Sequence, residues 1–189
     1  PVNHHLAQVL ERVVAVGALR YGPVVGELAT FNGDEPTGPG SSPAFDRFAD
    51  SWSSRLTLLP LSDAEVSASY ASVTSPEVRV GHGLDQRKAS IVARFSRETP
   101  TTWRYAMLEW ARSDERDNGA LTTRLASVLG EGAGCARGIV VAGRIERTDR
   151  PEEERLLDPF RTPRPSTDLS NLGVSRWTIL TASISAQYE

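Results

Sequence analysis

TPTTWRYAMLEWARSDERDNGALTTRLASVLG, residues 99–130, is the longest stretch of the chain with helical spacing. Thr99 and Pro100 suit the N-cap and first turn of a helix, and Trp103, Met107, Trp110 and Ala111 then fall along one stripe. SDERDNG, residues 113–119, interrupts the stripe, and Leu121, Leu125, Val128 and Leu129 resume it. The spacing predicts one helix with an irregular middle or two helices in tandem. GEGAG, residues 130–134, reads as the helix C-cap. Glycines that cradle a phosphate follow a strand and open a helix, which is the reverse order.

Toward the C-terminus, GIVVAGRIER (138–147) reads as a strand, and RWTILTASISAQYE (176–189) as its antiparallel partner. In the latter, Leu180, Ala182, Ile184, Ala186 and Tyr188 alternate with Thr181, Ser183, Ser185 and Gln187, the period-2 pattern of a half-buried strand that closes the sheet. Thr148 to Gly173, rich in Pro, Arg, Asp and Glu, is an arm between them. Toward the N-terminus, HGLDQ is a turn before a strand from Arg87 to Arg97 with Ala89, Ile91, Ala93 and Phe95 facing inward. RLTLLPL (55–61) is a strand that stops at Pro60, EVSASYASV (65–73) is another, and Glu77 to Val80 is a short one. Val24 to Phe31 is a strand, residues 32–43 are a Gly-, Pro- and Ser-rich loop, and Phe45, Phe48, Ala49 and Trp52 suggest a short helix behind Ser42 and Pro43. Leu6, Val9, Leu10, Val13 and Val14 predict a first helix over 4–19, with Asn3 as its cap. The expected fold is a single α+β domain over 1–189. Its antiparallel or mixed sheet carries helices on one face, with long surface loops.

A chain of this length is able to bury roughly 70% of its unfolded surface without staples. Its net charge of −3 offers no broad field for nucleic acid or an anionic membrane. The lone Cys135 excludes an intrachain disulfide, and no run of about 18 apolar residues predicts a membrane-spanning helix. Composition thus predicts a soluble, cytoplasmically folded protein with no membrane partner. His4 and His5 point about 100° apart on a helix and do not share a metal; His82 is the only other histidine. Pro1, the N-terminal residue, is not followed by the strand that an N-terminal proline base needs. Cys135, flanked by Gly134 and Ala136, reads as small-residue packing. Asp114, Glu115, Asp117, Glu152, Glu153 and Glu154 read as solvated faces, and Trp103 and Trp110 as core. No catalytic, metal or cofactor site emerges. Arg144, Arg147, Arg150, Arg155, Arg161 and Arg164, interleaved with acids, are candidate contacts to another protein surface, and the loops 32–43 and 148–173 are candidate interface arms.

Taken in order, the helix at Leu6 to Leu19, the strands around Arg55 to Tyr70 and Arg87 to Arg97, the helix from Pro100 and the two closing strands resemble the tail terminator, or tail completion, proteins of long-tailed bacteriophages. That resemblance implies a non-enzymatic virion protein assembled in the host cytoplasm. It would form a homo-oligomeric, commonly sixfold ring that caps the tail tube and joins tail to head through neck and connector proteins. It carries no cofactor and no sequence-specific nucleic-acid binding. Another phage neck or contractile-injection adaptor or stopper, and an α+β enzyme or small-ligand domain, are the alternatives.

Overall fold

The computed structural model describes residues 13–33, 45–74, 84–136, 138–151 and 174–186, with side chains described through Thr148 apart from Ala136. These residues form one nine-stranded sheet: β1 (Val14–Tyr21), β2 (Val24–Phe31), β3 (Ser51–Leu61), β4 (Ala64–Val73), β5 (Asp85–Thr99), β6 (Thr102–Asp117), β7 (Ala120–Ala136), β8 (Ile139–Pro151) and β9 (Val174–Ala186). The strands follow one another as an all-antiparallel meander in sequence order. β1 and β9 lie at the two ends of that order. The expected α+β layering is overturned: one 3-10 turn, Phe45–Arg47, is the only helical element among the described residues.

The largest correction falls on residues 99–130. In place of a long helix, β6 and β7 form the longest hairpin, paired from Thr102↔Ala136 to Asp117↔Ala120 with one register shift between Glu115 and Arg116. Thr99 does cap an N–H, since its Oγ1 accepts from the Thr102 amide at 3.1 Å, but the cap serves a chain reversal at Pro100 and Thr101. Trp110 and Ala111, neighbours on a helical stripe, stand on opposite faces of β6. The expected break in the helix is the turn itself. Asn118 and Gly119 have φ of 48° and 86°, the two positive values that a tight hairpin reversal matching strand twist requires. Space around Gly119 is open, so a methyl group there costs only backbone strain. Gly119→Ala should therefore lower stability by about 1 kcal/mol in urea unfolding, with strand content by circular dichroism unchanged.

Other expectations divide. Val24 to Phe31, the 65–73 strand, the Arg87 to Arg97 strand, GIVVAGRIER and the final strand all appear as strands, and β9 pairs antiparallel with β8. β3 runs through Pro60 to Leu61; pairing with β2 ends at Val24↔Leu58, so the missing proline N–H disturbs only the β4 side, where the register shifts. The first predicted helix lies mainly outside the described residues, and its end, Val14 to Leu19, belongs to β1. The helix behind Pro43 shrinks to the 3-10 turn, whose Arg47 pairs with Asp50 at 2.7 Å and also donates to the Thr74 carbonyl. Gly130, Gly132 and Gly134 sit within β7 and cap no helix. Residues 77–80, most of the 32–43 loop and most of the 148–173 arm lie outside the described residues.

The meander is asymmetric from end to end. The links at 22–23, 62–63, 100–101 and 137–138 are all short and share one end of the sheet. The links 32–50, 74–84 and 152–173 are long and share the other end with the extended β6–β7 hairpin. Phe31 on β2 packs with Ala71 and Val73 on β4, across the intervening β3, on an inner face that no second layer covers among the described residues.

Candidate functional site: a charged inner face behind an apolar outer face

Alternation along each strand assigns every residue to one of two faces, and the ladder registers carry the assignment from strand to strand. Phe31, Ser51, Thr57, Ser67, Ala71, Val73, Gln86, Lys88, Ala111, Ser113, Leu125, Ser127, Leu129, Glu146 and Thr148 are the buried inner-face residues, and many are polar or charged. The outer face carries Leu28, Leu56, Leu58, Ile91, Phe95, Leu108, Trp110, Val128, Val141 and Ile145, all exposed. Leu108 is 67% exposed while Glu146 is 0% exposed. The residues expected to face inward on β5, Ala89, Ile91, Ala93 and Phe95, are thus on the outer side, opposite Gln86, Lys88 and Ser90. A water-soluble sheet would bury the first set and wet the second.

The outward band has borders. On β5 it runs Ala89, Ile91, Ala93, Phe95 between Arg87 and Arg97; on β6 it runs Ala106, Leu108, Trp110 between Arg104 and Arg112. Arg87 to Arg97 spans about 33 Å of strand, which at a tilt of about 40° is about 25 Å of height. Aromatic side chains mark the band's margins. Trp52 and Tyr70 meet at a tilt with centroids 5.3 Å apart toward the long-link end, and Tyr21 and Phe95 lie toward the short-link end.

Two hydrogen-bonded networks make the inner face habitable for charge. Across β2 to β5, Arg55 lies 3.8 Å from both Glu27 and Glu65, and Arg94 pairs with Glu65 at 2.8 Å. Across β6 to β8, Tyr105 donates to Glu131 at 2.9 Å, and Arg144 lies 3.7 Å from Glu131. Arg144 also donates to Glu146 at 2.6 Å, which accepts from Ser127 at 3.3 Å. Burial, then the hydrogen bond to Glu131 and its charge, raise the Tyr105 phenol above its ordinary value, so it remains a donor. A cleft of about 200 Å³ lies here, lined by Tyr105, Glu131, Ala133, Ala142 and Arg144 with Gly132 and Gly143. On β2 to β8 most inner residues near the long-link end are buried, whereas Arg55 and Arg94 nearer the short-link end keep about half their side chains exposed, and Val14 and Val16 on the same face of the edge strand β1 are exposed. From β2 to β8 the inner face is therefore more deeply buried toward the long links than toward the short ones.

The arginines proposed as one contact surface separate. Arg144 is inner-facing and paired, Arg147 is exposed on the outer face, Arg150 stands opposite Ser175 in the β8–β9 register, and Arg155, Arg161 and Arg164 lie outside the described residues. Pro1, His4, His5, His82 and Glu152 to Glu154 also lie outside them. Cys135 is a half-buried free thiol on the inner face opposite Trp103 and Val140. Asp114 is no solvated carboxylate. It is 5% exposed on the outer face, gripped by Arg112 at 2.8 and 2.5 Å and by Arg124 at 2.9 and 3.3 Å, which hold it well below the usual carboxylate range. The alternation of Arg112, Asp114 and Arg116 carried that signal in the sequence. Among the described residues no group of three or more His, Cys, Asp or Glu is placed to hold a metal, and no helix is long and apolar enough to cross a membrane. Comparison with known protein families, curated proteins and solved structures returns no match, so the geometry alone carries the functional assignment.

Proposed function

We propose that this chain is a membrane-embedded β-barrel of the outer-membrane type, with its apolar band in lipid and its charged face lining a chamber more deeply buried toward the long links. The observation that carries it is the inversion of faces: hydrogen-bonded charges inside and a bordered band of exposed Leu, Ile, Val and aromatic side chains outside. Short links at one end and long links at the other support it. In hydrocarbon every backbone polar group needs a partner within the protein, which an antiparallel meander supplies along each ladder. A packed interior fits an anchor or a receptor for polar ligands at the less buried end better than a free diffusion pore.

The likeness to phage tail terminators depends on a central helix that β6 and β7 replace. A ring would nevertheless bury the same apolar face against other copies, which makes it the rival outcome of the test. The protein is refolded into phosphatidylcholine vesicles with brominated acyl chains. Tryptophan emission should be strongly quenched, and replacing Trp52 and Trp110 by Phe should remove most of the quenched signal. A water-soluble oligomer with unquenched tryptophans would overturn the membrane assignment in favour of the ring.

A further inference from the structure

We propose that the outer-face arginines at the long-link border of β5 to β8 hold the phosphate of an anionic phospholipid headgroup, an inference that rests on the membrane assignment above. Arg87 and Arg124 flank Asp114 in register, Arg112 lies one outward position nearer the band, and Arg147 pairs with Val128 on β8. Arg87, Arg112, Arg116 and Arg124 face Asp85 and Asp114 on this border, which leaves positive charge in excess. The arrangement is preorganised. Asp114 fixes two guanidinium groups by paired hydrogen bonds, and each spends two of its five donors on it. Arg116 is held by donation to the Gly119 carbonyl at 2.9 Å, and its Nε is buried without a partner.

Donors remain on Arg112 and Arg124, whose side chains are 34% and 47% exposed. Planar guanidinium groups match phosphate oxygens in pairs. The chemistry directly beside them decides between a lipid and a free anion. Trp110, Ile91 and Val128 continue the outer face toward the band, and all are exposed. A ligand with a phosphate and acyl chains satisfies both surfaces, whereas inorganic phosphate satisfies one.

The test compares the full chain with a variant carrying Arg112→Gln, Asp114→Asn and Arg124→Gln, in which no buried carboxylate is stranded. Both are refolded into phosphatidylcholine vesicles, alone, with a minority of phosphatidylglycerol, or with added inorganic phosphate. Insertion is followed by bromolipid quenching and stability by thermal unfolding. Phosphatidylglycerol should raise the Tm of the parent by about 5 °C and that of the variant by much less. Equal gains in parent and variant, or the same gain from inorganic phosphate in pure phosphatidylcholine, would overturn the lipid site and leave the barrel intact. Failure of both proteins to insert would overturn the site together with the barrel.

Discussion

Leu108→Arg should destabilise the vesicle-inserted protein by about 2–4 kcal/mol, the cost of a cation on the lipid face at mid-depth. Leu108 sits midway between Arg104 and Arg112 on β6 and is 67% exposed, so nothing inside the protein crowds the new side chain. In water the same substitution at so exposed a site would change stability by no more than about 0.5 kcal/mol. The two environments give opposite expectations for one residue. Reversible urea unfolding in vesicles, beside Leu108→Ala as the control for lost apolar area, measures the difference. A near-neutral Leu108→Arg would place this face in water.

Glu146→Ala should cost about 3 kcal/mol, for an unrelated reason. Glu146 is wholly buried and accepts from Arg144 at 2.6 Å and Ser127 at 3.3 Å. Removing it strands a guanidinium in the chamber and leaves the Ser127 hydroxyl short of an acceptor, and breaking a buried pair from one side is costly. Glu131 lies 3.7 Å from Arg144 and offsets part of the loss. Glu146→Gln, which keeps the shape and an acceptor, should cost less than half as much. The same vesicle unfolding assay reads both, and equal costs would show that the carboxylate's charge, which Gln lacks, carries the whole contribution rather than its shape or acceptor.

How much of this was legible in the sequence depends on which face is asked about. Period 2 is plain in β5 and β9, and the strands there are found with nearly their true bounds. Their polarity is not, because alternation says that Ile91 and Gln86 face opposite ways without saying which side is wet. In water the apolar side goes inward; in lipid it goes outward. Arg87 and Arg97 at the two ends of the Ala89 to Phe95 run, and serines and charges in the alternate positions, held that information. In β6 the failure was of a different kind. Trp103, Met107, Trp110 and Ala111 fit a helical stripe by coincidence, while Asn118-Gly119 gave the stronger local signal for a hairpin. The networks of Glu131 with Arg144 and of Asp114 with Arg124 join residues on different strands, so only the register reveals them.

The nine antiparallel strands among the described residues are an odd number, which fixes the direction of the two edges of this sheet. β1 begins at the long-link end, where Val14 pairs with Phe31, and β9 begins there too, where Val174 pairs with Pro151. Both run toward the short links. A seam made directly between them would be parallel, with slanted hydrogen bonds, whereas an antiparallel seam takes one additional strand running the other way. An open edge exposes a row of backbone donors and acceptors, which hydrocarbon does not tolerate. In the proposed barrel the wall would be secured by local hairpins, and its resistance to unfolding in lipid would be set at the seam, where the first and last strands would have to find a partner.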